Sequence, residues 1–118
     1  MNGYLLLQIA TSIVPTQTAL IDAEKQWTYD ELLREGMRVA GSLKPHVTIG
    51  DTVGIVLTNR VEYIAVLLAC WQLGVVAMPM NTRLKEAERE ALLADVACVV
   101  TESRYEEQSF HVPVVYVE

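Results

Sequence analysis

The sequence predicts an α/β fold of three layers, a mainly parallel sheet with helices on both faces and a small N-terminal hairpin beside it. Three observations carry that expectation. From residue 28 onward, stretches of helical period alternate with short β-branched runs, the pattern of successive βαβ units. The run Val53 to Leu57 does not alternate with polar residues, as befits a strand covered on both faces. The chain has 118 residues, 52% hydrophobic and 20% charged, which suits one globular domain over residues 1–118 and excludes general disorder.

Taken in order, Thr18 to Asp22 and Gln26 to Thr28 read as a hairpin turning at Ala23, Glu24 and Lys25. Thr28 then caps a helix, and Glu31, three residues on, completes a Thr-x-x-Glu capping box. Leu33, Met37, Ala40 and Leu43 are the expected buried stripe of that helix, opposite Arg34, Glu35, Arg38 and Ser42. A turn at Gly50 and Asp51 leads into the buried strand Val53 to Leu57. Arg60 to Leu73 reads as a helix with Val61, Ile64, Val66, Leu67, Leu68 and Trp71 on every side, hence held between layers. On that reading Trp71 is a core residue, and its truncation to alanine costs about 3 to 5 kcal/mol. Gly74 ends the helix through positive φ. A strand from Val75 to about Met80, a helix from about Lys85 to Ala94, and strands Val96 to Thr101 and Val112 to Val117 complete the series. Glu118 follows that last strand directly, which reads as a cut.

The 20 residues from Val61 to Met80 are long and apolar enough to cross a bilayer, but Glu62, Gly74 and Pro79 divide them into a helix and a strand, so no membrane span is expected. Leu5, Leu6 and Leu7 lack a preceding basic residue and are followed by Gln8, so no targeting signal is read there. Cys70 and Cys98, without Cys-x-x-Cys spacing, are expected to be buried reduced thiols of a cytoplasmic protein. Nine Lys and Arg against 15 Asp and Glu give a net charge of -6, which excludes the basic face that nucleic acid binding needs.

No catalytic or metal constellation stands out. The glycines fit neither dinucleotide nor phosphate-loop spacing, and Gly50 and Gly54 are expected to serve a turn and close packing. His46 and His111, beside Pro45 and Pro113, are expected to be exposed loop histidines, and Glu106 with Glu107 a solvated surface. The positions that end buried strands, Leu57, Met80 and Thr101, are not aspartate, which disfavours a phosphoacceptor domain. The remaining candidates lie where open sheets bind ligands, beyond the carboxyl ends of the strands. They are Thr58, Asn59 and Arg60, then Asn81, Thr82 and Arg83, then Ser103 and Arg104. They suit an anionic ligand; the alternative is that Asn59 and Thr82 cap or turn the chain and the arginines are solvated.

Four segments in order carry a resemblance: Thr18 to Asp22, Trp27-Thr-Tyr-Asp-Glu-Leu32, Gly50-Asp-Thr-Val-Gly-Ile-Val-Leu-Thr-Asn59, and Ala69-Cys-Trp-Gln-Leu-Gly-Val-Val-Ala-Met-Pro-Met-Asn-Thr-Arg-Leu84. Over about residues 16–104 the chain resembles the N-terminal subdomain of the adenylate-forming (AMP-binding) acyl-CoA synthetases. It is most similar to o-succinylbenzoate-CoA ligases of menaquinone biosynthesis and to medium- and long-chain fatty-acid-CoA ligases. It departs from them at Lys85, Glu86 and Ala87, where relatives often begin the helix with Ser/Thr-Pro-Glu. The resemblance implies a parent enzyme that uses ATP, magnesium and coenzyme A, with Asn81, Thr82 and Arg83 on the coenzyme A side. Its phosphate loop, adenine and acyl sites and catalytic lysine would lie beyond residue 118. The expectation is an N-terminal fragment with no catalytic residue or bound cofactor of its own, inactive alone, whose partner is the rest of the enzyme. A homo-oligomer formed through exposed apolar surface is expected of the isolated piece. The alternative is a freestanding interaction or scaffold domain.

Overall fold

The computed structural model describes residues 3–21, 25–58, 61–105 and 110–117. A helix that the sequence reading did not anticipate, α1 (Gly3–Ile13), comes first. The hairpin follows as β1 (Thr18–Ile21) antiparallel to β2 (Gln26–Thr28); of its expected turn at Ala23, Glu24 and Lys25, the first two lie outside the described residues. Then come α2 (Tyr29–Leu43), β3 (Thr52–Val56), α3 (Val61–Leu73), β4 (Val76–Pro79), α4 (Glu86–Leu92), β5 (Cys98–Thr101) and β6 (Val114–Tyr116). The last four strands form one sheet in the order β4-β3-β5-β6, every pair parallel.

Alternate residues of the central strands face two different cores. Val53, Ile55, Cys98 and Val100 pack with Ala65, Val66 and Ala69 of α3 and with Val39 and Leu43 of α2. On the other face Val56 and Val99 meet Leu93, Met80 and half-buried Phe110 and Val112. Both faces are therefore covered, one by α2 and α3 and the other by Leu93 at the end of α4 with the segments around Tyr105 and Phe110, as the unbroken apolar run of β3 required. A third cluster, Leu7, Leu32, Val61 and Leu68 with Leu20 and Trp27, joins α1 and the hairpin to α2 and α3.

The start of α2 is as its sequence dictates. Thr28 Oγ1 accepts from the Glu31 N–H at 3.1 Å, and Glu31 Oε1 accepts from the Thr28 N–H at 3.0 Å. That second bond holds the Glu31 carboxyl below its ordinary pKa, so the box is intact near neutrality and loosens as acid protonates it. Replacing Thr28 with alanine is expected to cost about 1 kcal/mol, seen as a lower denaturant midpoint at unchanged slope.

Two expectations about burial are corrected. The buried face of α2 is Leu32, Gly36, Val39, Ala40 and Leu43, while Leu33 is half-buried and Met37 is 51% exposed. The cause is Gly36: a Cβ built there would lie 3.1 Å from Leu68 Cβ, so α2 turns its smallest side toward α3 and the two helices close up. Likewise Trp71 is 40% exposed and Ile64 36%. Seven residues apart, they share one side of α3, whose other sides meet α1, α2 and the sheet. Trp71 is not a core residue, and the full cost of emptying a core site does not apply to it.

The remaining signals are realised. Gly50 and Gly74 have φ of 91° and 70°, the left-handed region in which glycine is unstrained. Val61 to Met80 divides into α3 and β4 at Gly74, and among the described residues no helix is long and apolar enough to cross a membrane. Cys70 and Cys98 are free and buried, and burial pushes both thiols up from an ordinary 9.0 to about 11, with Cys98 adding to the rise at Cys70 and Asp51 to the rise at Cys98. A raised thiol pKa means the native state resists ionisation, so stability should fall as pH rises from about 9.0 through about 11. Below that window both thiols should react with iodoacetamide only as fast as the chain opens, and denaturant should release both together.

Candidate functional site

The carboxyl edge of the sheet is built by bonds that continue past the strands. Met80 N–H donates to the Ile55 carbonyl at 2.9 Å and so pins the end of β4 to β3. Thr101 Oγ1–H donates to the Val56 carbonyl at 2.8 Å, and Val117 N–H to the Thr101 carbonyl at 3.2 Å. Between them, Thr58 donates from both its N–H and its hydroxyl to Glu102 Oε2, each at 2.9 Å. Glu102 is only 2% exposed.

This junction is also where connections diverge. The chain leaving β3 enters α3 on one face, whereas Tyr105, Phe110 and Val112, which follow β5, pack on the other. Adjacent strands whose connections go to opposite faces make a switch point, the place where an open sheet leaves a crevice for a ligand.

The expected site residues fall into three groups. Asn81, at the exit of β4, uses its side chain to turn the chain: Oδ1 accepts from the Arg83 N–H at 2.9 Å, and its carbonyl from the Leu84 N–H at 3.3 Å. Asn81 and Arg83 are exposed and Thr82 half-buried. Asn81 is thus a turn residue of the kind its type favours, a role the sequence reading gave to Asn59 and Thr82. Thr58 belongs to the junction. Asn59, Arg60, Glu106, Glu107 and the Arg104 side chain lie outside the described residues, and Ser103 is exposed. As the departure at residues 85–87 implied, α4 starts at Lys85 with no side-chain cap.

Both histidines are exposed, as expected. His46 lies in a short 3-10 turn, and His111 Nε2 lies 2.7 Å from Glu90 Oε1. Beside that pair a small pocket is lined by Leu93, Ala94, Phe110 and Val112. Among the described residues no group of three His, Cys, Asp or Glu side chains could hold a metal ion.

Sequence reasoning missed two buried charged residues. Glu102 had a usable signal, an acidic residue directly after the β-branched run Val99, Val100, Thr101, where a strand delivers its next side chain to the edge. Arg89 had none, because an arginine among Glu86, Glu88 and Glu90 looks solvated. It is 8% exposed and its guanidinium carbon lies 5.4 Å from the centre of the Phe110 ring, a cation-π contact.

A parallel four-stranded sheet with a switch point and polar exit loops defines an open α/β architecture. The chain belongs to the AMP-binding enzyme family, whose match covers residues 8–112. It is 36% identical over 101 residues to a 2-succinylbenzoate-CoA ligase of Bacillus subtilis, a stretch that is 83% of this chain and 21% of that protein. It is 32% identical over 103 residues to a medium/long-chain-fatty-acid-CoA/3-oxocholest-4-en-26-oate-CoA ligase of Mycobacterium marinum, covering 85% of this chain and 19% of that one. The o-succinylbenzoate coenzyme A synthetase of Bacillus subtilis, solved with ATP and a magnesium ion, superposes with a TM-score of 0.87 at 31% identity, over 99% of this chain and 33% of the synthetase. The N-terminal subdomain of NpsA from Klebsiella oxytoca shares the fold, with a TM-score of 0.83 at 20% identity. The chain spans about a fifth of the length of the curated ligases it matches. The expected fold, a parallel α/β N-terminal subdomain of adenylate-forming enzymes, is the observed one.

Proposed function

We propose that this chain is the N-terminal part of an ATP-dependent acid-coenzyme A ligase. In that reaction a carboxylate oxygen attacks the α-phosphorus of ATP and expels pyrophosphate, and the coenzyme A sulfur then attacks the acyl carbon and expels AMP. The superposition on the ATP- and magnesium-bearing synthetase, over nearly the whole of this chain, is the observation that carries the reading. The names of the relatives make 2-succinylbenzoate the first acid to try and medium- or long-chain fatty acids the second. On this reading residues 1–118, which span about a fifth of the ligases they resemble and hold no glycine-rich phosphate loop, are inactive alone. The rest of the enzyme is the partner proposed for the edge strands, where Val76 is 55% and Tyr116 46% exposed. The buried, reduced thiols suit a cytoplasmic place of action.

Asn81, Thr82 and Arg83 are proposed to face coenzyme A. The Asn81 turn fixes the loop and leaves the Arg83 guanidinium in solvent, free to fork onto phosphate. The test compares the product of the full reading frame with residues 1–118. The full product should release pyrophosphate from ATP and acid and convert coenzyme A to a thioester, while the short chain does neither. A full product that forms no adenylate would defeat the reading. Within an active enzyme, Arg83→Ala should raise KM for coenzyme A on the order of tenfold and leave adenylate formation unchanged.

A further inference from the structure

Glu102 has no part in the reaction as proposed, yet it is one of the few charged groups the fold buries, 2% exposed at the carboxyl end of β5. Burying a carboxylate is costly unless hydrogen bonds meet it, and here the Thr58 N–H and hydroxyl both donate to one oxygen at 2.9 Å. A structural tie could be made anywhere along the β3–β5 ladder. This one sits beyond the last paired residues, Val56 and Thr101, where the two chains part toward opposite faces.

We infer that Glu102 is a positioning residue: its carboxylate bridges the switch point by holding Thr58, and thereby sets the spacing of the loops that leave the sheet edge toward coenzyme A. The inference rests on the acid-coenzyme A ligase reading. The coupling runs through backbone. Glu102 fixes the exit of β3, and β3 in turn holds Met80 through the Ile55 carbonyl, so the Asn81 turn and Arg83 hang from a strand whose neighbours are braced. The Glu102 carbonyl also accepts from the Tyr105 N–H at 3.0 Å, which orders the turn after β5 from the same residue. Losing the carboxylate frees the rim while leaving both cores on the sheet intact.

The test uses the full reading-frame product and measures its two half-reactions separately. Glu102→Ala and Thr58→Val should each raise KM for coenzyme A, on the order of tenfold for Glu102→Ala and less for Thr58→Val, which keeps the backbone N–H. Adenylate formation, followed by pyrophosphate exchange, should stay within about twofold of wild type. Glu102→Gln, whose amide oxygen can still accept, should restore most of the coenzyme A affinity. Equal losses in both half-reactions would mark a merely structural role, and an unchanged KM in Glu102→Ala and Thr58→Val would also overturn the inference. Should Glu102→Ala not fold, Thr58→Val and Glu102→Gln decide the matter alone. A wild-type product that forms no thioester overturns the ligase reading itself, which separates that failure from failure of the bridge.

Discussion

Truncating Ile55 to alanine is expected to destabilise the fold by about 2 to 5 kcal/mol, a large share of the ~5 to 15 kcal/mol that holds a domain together. Ile55 is fully buried in the central strand, with β4 on one side and β5 on the other. Its side chain lies in the core that the sheet shares with α2 and α3. Those neighbours are fixed by their own ladders and cannot collapse into the space, so the cavity term adds to the lost burial. Urea titration followed by circular dichroism measures the change. A shift below ~1 kcal/mol would mean that the site is not the packed centre of the sheet. Trp71→Ala offers the contrast, with a smaller loss expected from a larger side chain, because Trp71 is 40% exposed.

The second large effect comes from adding atoms. Gly54 lies next to Ile55 and faces the opposite core, where a Cβ would come within 2.6 Å of Leu93 Cδ2, 3.5 Å of Val99 Cγ2 and 3.6 Å of Met80 Sδ. The Leu93 methyl ends a rotatable side chain and can retreat a little, so Gly54→Ala should be mild. Gly54→Val brings two further methyls into a space also bounded by Met80 and Val99, and about 1 to 3 kcal/mol of overpacking is expected. Combining Gly54→Val with Leu93→Ala should cost less than the sum of the single changes, since one makes the room that the other fills. Additive costs would show that Leu93 does not bear on Gly54.

How much of this was legible in the sequence depends on the range of the interaction. Local signals translated directly. The capping box of Thr28 and Glu31, the positive-φ turns at Gly50 and Gly74, the division of Val61 to Met80 and the two-sided burial of β3 each rest on neighbours within a few positions. The same holds for the order of strands and helices after α1, and for placing the candidate loops after β3, β4 and β5. The resemblance over residues 16–104 rested on such local segments too, and the family match over residues 8–112 agrees with it.

Tertiary structure alone decided which faces meet. Periodicity marked Met37 and Trp71 as apolar positions on helices, but rotation about a helix axis is set by the partner. Gly36 against Leu68 turned α2 by its smallest residue, and α3 had fewer neighbours than its apolar sides could use. The docking of α1 through Leu7 onto Leu32 and Leu68 joins residues far apart in the chain. Glu102 and Thr58 are 44 positions apart, and no spacing rule links them until β3 and β5 pair. Sequence determined the elements because backbone propensity, caps and turns act locally. Structure determined the junction at the sheet edge because a buried charge can be placed only once the strands that surround it are in register.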